Sequence, residues 1–413
     1  MQYLGIEYQM KHAPKLDPTF IPFGVWREAY LKDAKQPIAI AVERDNGQVS
    51  VHKTFIHGTP EMADADYRCV ERYVKFLLWS IGGFKVYICG CSELAKKLQN
   101  AYKIGGEREF DFTFVDQLYE KTLEIIDLPL EACPVANETA VPMGGHMDGC
   151  RIGFDAGGSD RKVSAVIDGE CVYSEEVIWF PKLNEDPDYH YEHILEAFKT
   201  AASKMPRVDA IGVSSAGDYI DNEPRVASLF IKVPRDNWDK VKTIYIRAAE
   251  AIGDVPLVVA NDGDVSALAG AMQDEWSFDF GVGCKYFSQD AVIKLAPAAG
   301  IELDESLSLA EKLKAVQKLM EADDPRAQAI FETIGAYFGY TVVLYSQFYD
   351  LDYIMLMGRV MSGKGGDTIL RVTNEILADE YPELAAKCCV TLPDEKMRRV
   401  GQAVAAASLP KVK

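Results

Sequence analysis

Strand and helix patterns alternate between residues 151 and 272, and their order constrains the fold of this 413-residue chain more than any other feature. Short apolar or alternating runs predict strands, and apolar residues at helical spacing predict helices. The predicted strands are 151–155, 162–168, 172–177, 208–213 and 255–260, and the predicted helices are 189–202, 238–251 and 265–272. This order predicts a mixed sheet with helical crossovers, which is an α/β layer architecture.

The rest of the chain has a different pattern of predicted strands and helices. The sequence of residues 1–35 predicts an irregular arm, and residues 103–150 show no clear periodicity of apolar residues. Between these two stretches, we predict strands at 38–42, 48–55 and 84–89 and helices at 66–80 and 93–102. From residue 289 the pattern is mostly helical (309–320, 327–348, 368–377), with one strand at 352–357. We therefore predict an N-terminal α/β accessory domain at 1–149, a second domain at 150–272 and a mostly helical part at 273–413.

The composition excludes several classes of protein. With 44 Lys and Arg against 63 Asp and Glu, the formal net charge is −19, which disfavours binding to nucleic acid or to anionic membranes. The sequence contains no apolar run long enough for a membrane-spanning helix and no secretory signal at its start. Nine cysteines at irregular spacing indicate reduced thiols. We expect a cytoplasmic protein.

The segment Asp155-Ala156-Gly157-Gly158-Ser159-Asp160-Arg161-Lys162 lies between two predicted strands and has the features of a phosphate-binding loop. Adjacent glycines let the backbone approach an anion and present N–H groups to it. Ser159 adds a hydroxyl donor, Lys162 or Arg161 adds positive charge, and Asp155 could reach a Mg²⁺-bound water. The alternative is a glycine-containing hairpin that binds no ligand.

Three other segments follow predicted strands. Asn261-Asp262-Gly263-Asp264 places a carboxylate where open α/β sheets bind ligands, and it could deprotonate a hydroxyl, although Asp and Asn also begin helices for local reasons. Ser214-Ser215-Ala216-Gly217-Asp218 leaves room for a substrate, with a plain turn as the alternative. The glycine-rich turn 358–366 could lie under a purine ring or simply lead into a helix.

Taken together, residues 151–272 and 280–380 resemble the ROK family of sugar kinases and sugar-responsive relatives. The matching motifs occur in the family's order: 155–159 is similar to DxGGT, 211–217 to the strand and turn lining the sugar site, 258–270 to ENDANAAALGE, and 354–358 to the adenosine segment. The resemblance implies an actin-like, duplicated ribonuclease-H-like fold with mixed sheets. It covers about 60% of the chain, and residues 1–149 are not explained by it.

The resemblance also implies site roles. Asp262 would be the catalytic base, and Asn261, Ser215, Ala216 and Gly217 would bind the sugar. The phosphates would contact Asp155, Gly157, Gly158, Ser159 and Lys162, with Asp155 reaching Mg²⁺ through water. The adenosine would contact Gly358, Arg359 and Gly363. The implied cofactors are ATP and Mg²⁺, and the implied partner is a small sugar. The family often oligomerises, so the resemblance is compatible with a homodimer.

Departures from the family pattern keep two functions open. Two motifs of the family are missing: the second phosphate loop, which is a GTGxGxG hairpin, and the ExGH sugar contact. The position where the second loop should follow the predicted helix is taken by Met272-Gln273-Asp274-Glu275-Trp276. Arg359 replaces a glycine, and the family's zinc ligands are absent, so no structural zinc is predicted. The first function is an ATP-dependent kinase of a hexose-like sugar. The second is a catalytically silent relative that binds a sugar or a nucleotide.

Overall fold

The computed structural model describes residues 1–139, 144–261, 283–392 and 403–412. These residues form two compact units, each assembled from separate stretches of the chain. The first unit contains 1–112, 123–138 and 283–392, and the second contains 113–122, 139, 144–261 and 403–412. The fold is α/β with mixed sheets, which confirms the predicted fold class. The division at residues 149/150 and 272/273 stays a prediction.

The N-terminal part builds a four-stranded sheet and four helices. Its elements are β1 (Gln2–Tyr3), β2 (Ile6–Glu7), α1 (Phe23–Leu31), β3 (Gln36–Glu43), β4 (Val49–Ile56), α2 (Ala63–Ser80), β5 (Lys85–Cys89), α3 (Ser92–Ala101), α4 (Glu109–Tyr119) and β6 (Glu124–Leu128). The sheet order is β4-β3-β5-β6, with β3 antiparallel to both neighbours and β5 parallel to β6. Sequence analysis missed α4 and β6.

The middle of the chain forms a five-stranded mixed sheet. Its elements are β7 (Cys150–Ala156), β8 (Asp160–Ile167), β9 (Glu170–Ile178), α5 (Pro187–Ala202), β10 (Ala210–Ser215), β11 (Asp218–Ile220), β12 (Glu223–Val226), α6 (Trp238–Lys242), α7 (Ile244–Glu250) and β13 (Leu257–Asn261). The order is β13-β10-β7-β8-β9, with an antiparallel β7-β8-β9 meander and β10 and β13 parallel to β7. This is the strand order of a ribonuclease-H-like sheet.

One predicted helix of this region is broken in the structure. The helix predicted over 238–251 is interrupted at Thr243, where the backbone leaves helical geometry at φ −98° and ψ 7°. The Thr243 hydroxyl donates to the Asp239 carbonyl oxygen at 3.4 Å, a local bond that often bends helices. The helix predicted over 265–272 lies outside the described residues.

The C-terminal part is mostly helical, as predicted. Its elements are α8 (Cys284–Phe287), α9 (Gln289–Leu295), α10 (Leu309–Glu321), α11 (Pro325–Ser346), β14 (Tyr353–Met355), α12 (Lys364–Glu380), α13 (Pro382–Lys387) and β15 (Cys389–Thr391), with β14 parallel to β15. The helix predicted from Thr368 starts four residues earlier, inside the glycine-rich segment. Within the described ranges, no helix has the length and apolar content needed to span a bilayer.

The five-stranded sheet is covered on both faces. All seven residues of β7 are buried. On one face, the Phe154 ring meets the Phe198 ring of α5 edge-on, with centroids 5.5 Å apart. On the other face, a short helix at 403–407 lies so close that a β-carbon at Gly212 would be 1.7 Å from the Ala406 carbonyl oxygen. A glycine is therefore required there by the approach of the helix backbone.

The N-terminal arm and the C-terminal helices belong to the same unit. Along the arm, the Tyr337 hydroxyl of α11 donates to Asp17 Oδ2 at 2.6 Å. Further on, the rings of Phe76 from α2 and Phe348 stack with centroids 3.9 Å apart. Residues 1–112 thus pack beside 283–392.

Replacing Gly212 by alanine is expected to lower the stability of the second unit. The new methyl group would overlap the Ala406 carbonyl, and the forced shift should cost about 1–3 kcal/mol. The matched control is Gly253→Ala, since a β-carbon there would meet only Val255 Cγ1 at 3.9 Å, an ordinary contact. Thermal unfolding followed by circular dichroism compares the variants. Equal melting temperatures for G212A, G253A and wild type would contradict the close packing.

Candidate active site

Three of the predicted site residues lie at the carboxyl ends of neighbouring parallel strands. In the β7–β10 register, Asp155 pairs with Ser214 and Ala156 pairs with Ser215. In the β10–β13 register, Ser215 pairs with Asn261. Asp155, Ser215 and Asn261 therefore lie side by side on three adjacent strands, to within one residue of register. Open α/β sheets bind their ligands at this edge.

The predicted phosphate loop connects β7 to β8 beside this edge. Asp155 is buried, whereas Gly158 and Ser159 are exposed to solvent. Trp179, which follows β9, ties the loop down: its indole N–H donates to the Gly157 carbonyl at 2.7 Å, and its backbone N–H donates to the Ser159 carbonyl at 3.2 Å. The loop has an open surface and a fixed base.

The charge at the loop comes from Lys162 and not from Arg161. Lys162 Nζ lies 4.0 Å from Asp155 Oδ2 and 3.6 Å from Asp160 Oδ1. The Arg161 side chain is only 3% exposed, and its guanidinium donates to Glu196 Oε2 at 2.5 Å. Of the two cations that the sequence offered, Lys162 is the one beside the predicted site carboxylate.

The predicted sugar-side turn is held by a chain of hydroxyl groups. The Tyr219 hydroxyl donates to Ser215 Oγ at 2.6 Å, and Ser215 Oγ is 2.9 Å from the hydroxyl of Tyr245. Tyr245 is fully buried under the sheet. Burial raises the pKa of Tyr245 above its usual value, and the Asp155 carboxylate adds to that shift. The Tyr245 hydroxyl is therefore neutral at physiological pH, and the chain of hydroxyl groups fixes the end of β10.

Asn261 holds the same turn from β13. Its side-chain amide donates to the Gly217 carbonyl at 2.5 Å. Gly217 has φ +143°, and a β-carbon there would lie 2.6 Å from both Ala227 Cβ and the Val226 carbonyl oxygen. Only glycine fits between the turn and the β11–β12 hairpin. The turn containing Ala216 is therefore shaped by both neighbouring segments.

The open edge of β13 is paired by a side chain. The Asn222 amide donates to the Leu257 carbonyl at 3.1 Å and accepts from the Val259 N–H at 2.8 Å. These two bonds imitate the pairing of another strand. Asp262, the predicted base, comes directly after β13 and lies outside the described residues.

The predicted adenosine segment belongs to the other unit. Gly358 and Arg359 are exposed, and a β-carbon at Gly358 would meet no heavy atom within 4 Å. Gly363 precedes α12, whose first backbone N–H, from Lys364, donates to Glu321 Oε1 at 2.9 Å. A helix N-terminus is a natural anion site, and here the carboxylate of Glu321 occupies it.

One carboxylate of the loop, Asp155, fits the needs of a nucleotide-bound Mg²⁺. In the described part of the chain, no three His, Cys, Asp or Glu side chains are grouped to hold a metal ion. Mg²⁺ that arrives with phosphates needs only one or two carboxylates and keeps several waters. Asp155, at the base of the loop, suits such a water-mediated contact, and this role stays a prediction.

Several residues at the site were not identified from the sequence. They are Trp179, Lys182, Tyr219 and Tyr245, which reach the site through tertiary contacts rather than through a local motif. One signal was available for the first two: in a three-stranded meander the end of β9 must lie beside the start of β8, as the pairing of Ile178 with Asp160 shows. Residues just after β9 therefore border the loop.

No family model and no curated protein sequence matches the chain. Among solved structures, a ROK hexokinase from Thermus thermophilus has 16% identity and a TM-score of 0.44, with 63% of this chain and 97% of that chain covered. A ROK family glucokinase from Streptomyces griseus, solved with glucose and AMPPNP, has 18% identity and a TM-score of 0.41, with 63% and 98% covered. This chain resembles ROK-family sugar kinases.

A wider comparison gives a similar picture. A hexokinase from Schistosoma mansoni complexed with glucose has 11% identity and a TM-score of 0.40, with 77% of this chain and 94% of that chain covered.

Replacing Ser215 by alanine is expected to destabilise the second unit. The change removes both hydroxyl contacts at the end of β10 and leaves the buried Tyr245 hydroxyl without its Ser215 partner, at a cost of about 1–3 kcal/mol. Urea unfolding measures the difference. Ser174→Ala, on the exposed edge strand β9, is the control and should stay within about 0.5 kcal/mol of wild type. If S215A is as stable as S174A, the hydroxyl chain does not hold the site.

Proposed function

We propose that this protein is an ATP-dependent sugar kinase that transfers the γ-phosphate of ATP to a hydroxyl of a hexose-like sugar. The observation that supports this most is the alignment of Asp155, Ser215 and Asn261 on adjacent strand ends, with a glycine loop next to Asp155. This edge offers hydroxyl and amide groups on one side and a phosphate-binding loop on the other. A phosphoryl donor and a hydroxyl acceptor need these two surfaces side by side.

Asp262 is proposed as the general base. It follows Asn261 directly, and Asn261 is in register with Ser215, so the sugar hydroxyl would be bound between the turn 215–217 and the end of β13. A carboxylate there accepts the proton as the sugar oxygen attacks the γ-phosphate. Asn261 and the 215–217 turn would orient the neighbouring hydroxyls.

The developing phosphate charge is proposed to fall on the loop between β7 and β8. The backbone N–H groups of Gly157 and Gly158, the Ser159 hydroxyl and the Lys162 ammonium are available to bind it. Mg²⁺, when bound with ATP, neutralises charge on the phosphates, and Asp155 would hold one of its waters. Gly358, Arg359 and Gly363 would contact the adenosine.

One observation favours the second candidate, a catalytically silent relative that binds a sugar or nucleotide. The first backbone N–H of α12 already donates to Glu321, so this group is not available to a phosphate. The sequence also lacks the second phosphate loop of the family. The β- and γ-phosphates then depend on the loop at Gly157 to Ser159 alone, and weak phosphate binding would abolish transfer before it abolished sugar binding.

Replacing Asp262 by asparagine is expected to remove sugar-dependent ATP hydrolysis or transfer. Loss of a positioned general base lowers turnover by roughly 10²- to 10⁴-fold. ADP release from Mg-ATP is measured across hexoses, hexosamines and polyols, for wild type, Asp262→Asn and Asp264→Asn. The last variant removes the same charge two residues away and should keep most of the activity.

The outcomes separate the two candidates. Turnover with one sugar that is lost in D262N but kept in D264N supports the kinase and names its substrate class. No turnover with any sugar, together with sugar or ATP binding by calorimetry, contradicts the kinase and supports the silent relative. Equal activity in D262N and wild type contradicts the assignment of the base.

A further inference from the structure

Lys182 lies over the exposed tip of the glycine loop. A β-carbon at Gly158 would lie 2.8 Å from Lys182 Cε and 2.9 Å from Lys182 Nζ. The end of the lysine side chain therefore lies in the space that a side chain at position 158 would enter. The ammonium group is therefore beside the loop backbone that the proposed function assigns to phosphate, although Lys182 is 24 residues beyond Gly158 and belongs to no recognised motif.

The backbone that carries Lys182 is anchored on two sides. Lys182 belongs to a short 3₁₀ turn, Pro181–Leu183, which follows Trp179 and its two hydrogen bonds to the loop. On the other side, the ring nitrogen Nε2 of the buried His190 lies 3.0 Å from the Pro181 carbonyl oxygen and 3.2 Å from that of Leu229. The backbone at Lys182 is therefore held in place by contacts of the neighbouring residues Trp179 and Pro181.

The charges around the loop leave a role for a second cation. Lys162 lies near two carboxylates, Asp155 and Asp160, so these three groups sum to −1. Lys182 brings the sum to zero, and among the described residues no carboxylate forms an ion pair with it. The whole chain carries −19, which repels an anionic ligand at long range. A polyphosphate therefore needs local positive charge to bind here.

We propose that Lys182, together with Lys162, binds the β- and γ-phosphates of a nucleotide at the Gly157–Ser159 loop. This inference rests on the proposed function and deepens it, since it names a second phosphate-binding cation. Lys182 supplies positive charge at a site that lacks the second phosphate loop of the family. An ammonium group beside exposed backbone N–H groups is a suitable partner for a terminal phosphate.

The test compares Lys182→Met with wild type in calorimetric titrations of Mg-ATP, Mg-ADP and adenosine. Loss of a charge-assisted contact should weaken Mg-ATP binding roughly 10- to 100-fold and leave adenosine binding unchanged. Lys182→Arg keeps the charge and should retain most of the affinity. Lys199→Met removes an exposed lysine from the last turn of α5 and is the matched control.

Each outcome has a defined meaning. The proposal is supported if K182M binds Mg-ATP more weakly than wild type, K182R and K199M do, and binds adenosine as wild type does. Unchanged Mg-ATP affinity in K182M overturns it, and so does an equal loss for ATP and adenosine, because Lys182 would then shape the site without contacting phosphate. If wild type binds none of the three ligands, the proposed nucleotide site itself is wrong, and this inference falls with it.

Discussion

The candidate site depends on the register of three parallel strands. Gly212 of β10 pairs with Gly153 of β7, and a β-carbon at either position would overlap the backbone of the helix at 403–407. A shift of one residue would bring Ile211 or Val213 under that helix and turn every side chain of the strand to the other face. The register that makes room for this helix also places Asp155 beside Ser214 and Ala156 beside Ser215. The C-terminal segment therefore fixes the alignment of β7 and β10, on which the candidate site is built.

The first unit depends on a different constraint, the need to cover α11. This helix is buried at 16 of its 22 residues, so apolar side chains face nearly all directions. Such a helix is stable in water only when other elements surround it. The arm, α1 and α12 all pack against it, with Gly24 and Gly339 at close approaches. This requirement explains why residues 1–112, which lie outside the family resemblance, share a unit with 283–392.

Local patterns predicted the five strands of the sheet, because apolar runs, turns and helical spacing are encoded within short windows, but the strand ends differ by one or two residues, so that Ser214 and Ser215 lie inside β10 and not after it. These patterns failed where the spacing of apolar residues did not match the structure. Phe110, Phe112 and Phe114 recur at every second residue, a spacing typical of a strand, although they belong to helix α4. They also failed where distant segments meet. Trp179 and Tyr245 act through contacts more than 20 residues away along the chain, which no local motif contains. The predicted base, Asp262, lies outside the described residues.

The distribution of charge decides which part of the molecule can hold a polyanion. In the first unit, Glu321 fills the N-terminus of α12 and Lys364 Nζ lies 2.7 Å from Asp323, so the positive groups there are neutralised internally. In the second unit, Lys162 lies near two carboxylates, Asp155 and Asp160, whereas Lys182 lies beside Gly158 and has no carboxylate partner among the described residues. Because the net charge of −19 opposes any anion at long range, the proposed phosphate binding depends on short-range contacts at the Gly157–Ser159 loop. The choice between the two proposed functions, a kinase and a silent relative, therefore depends strongly on this loop and on the lysines beside it.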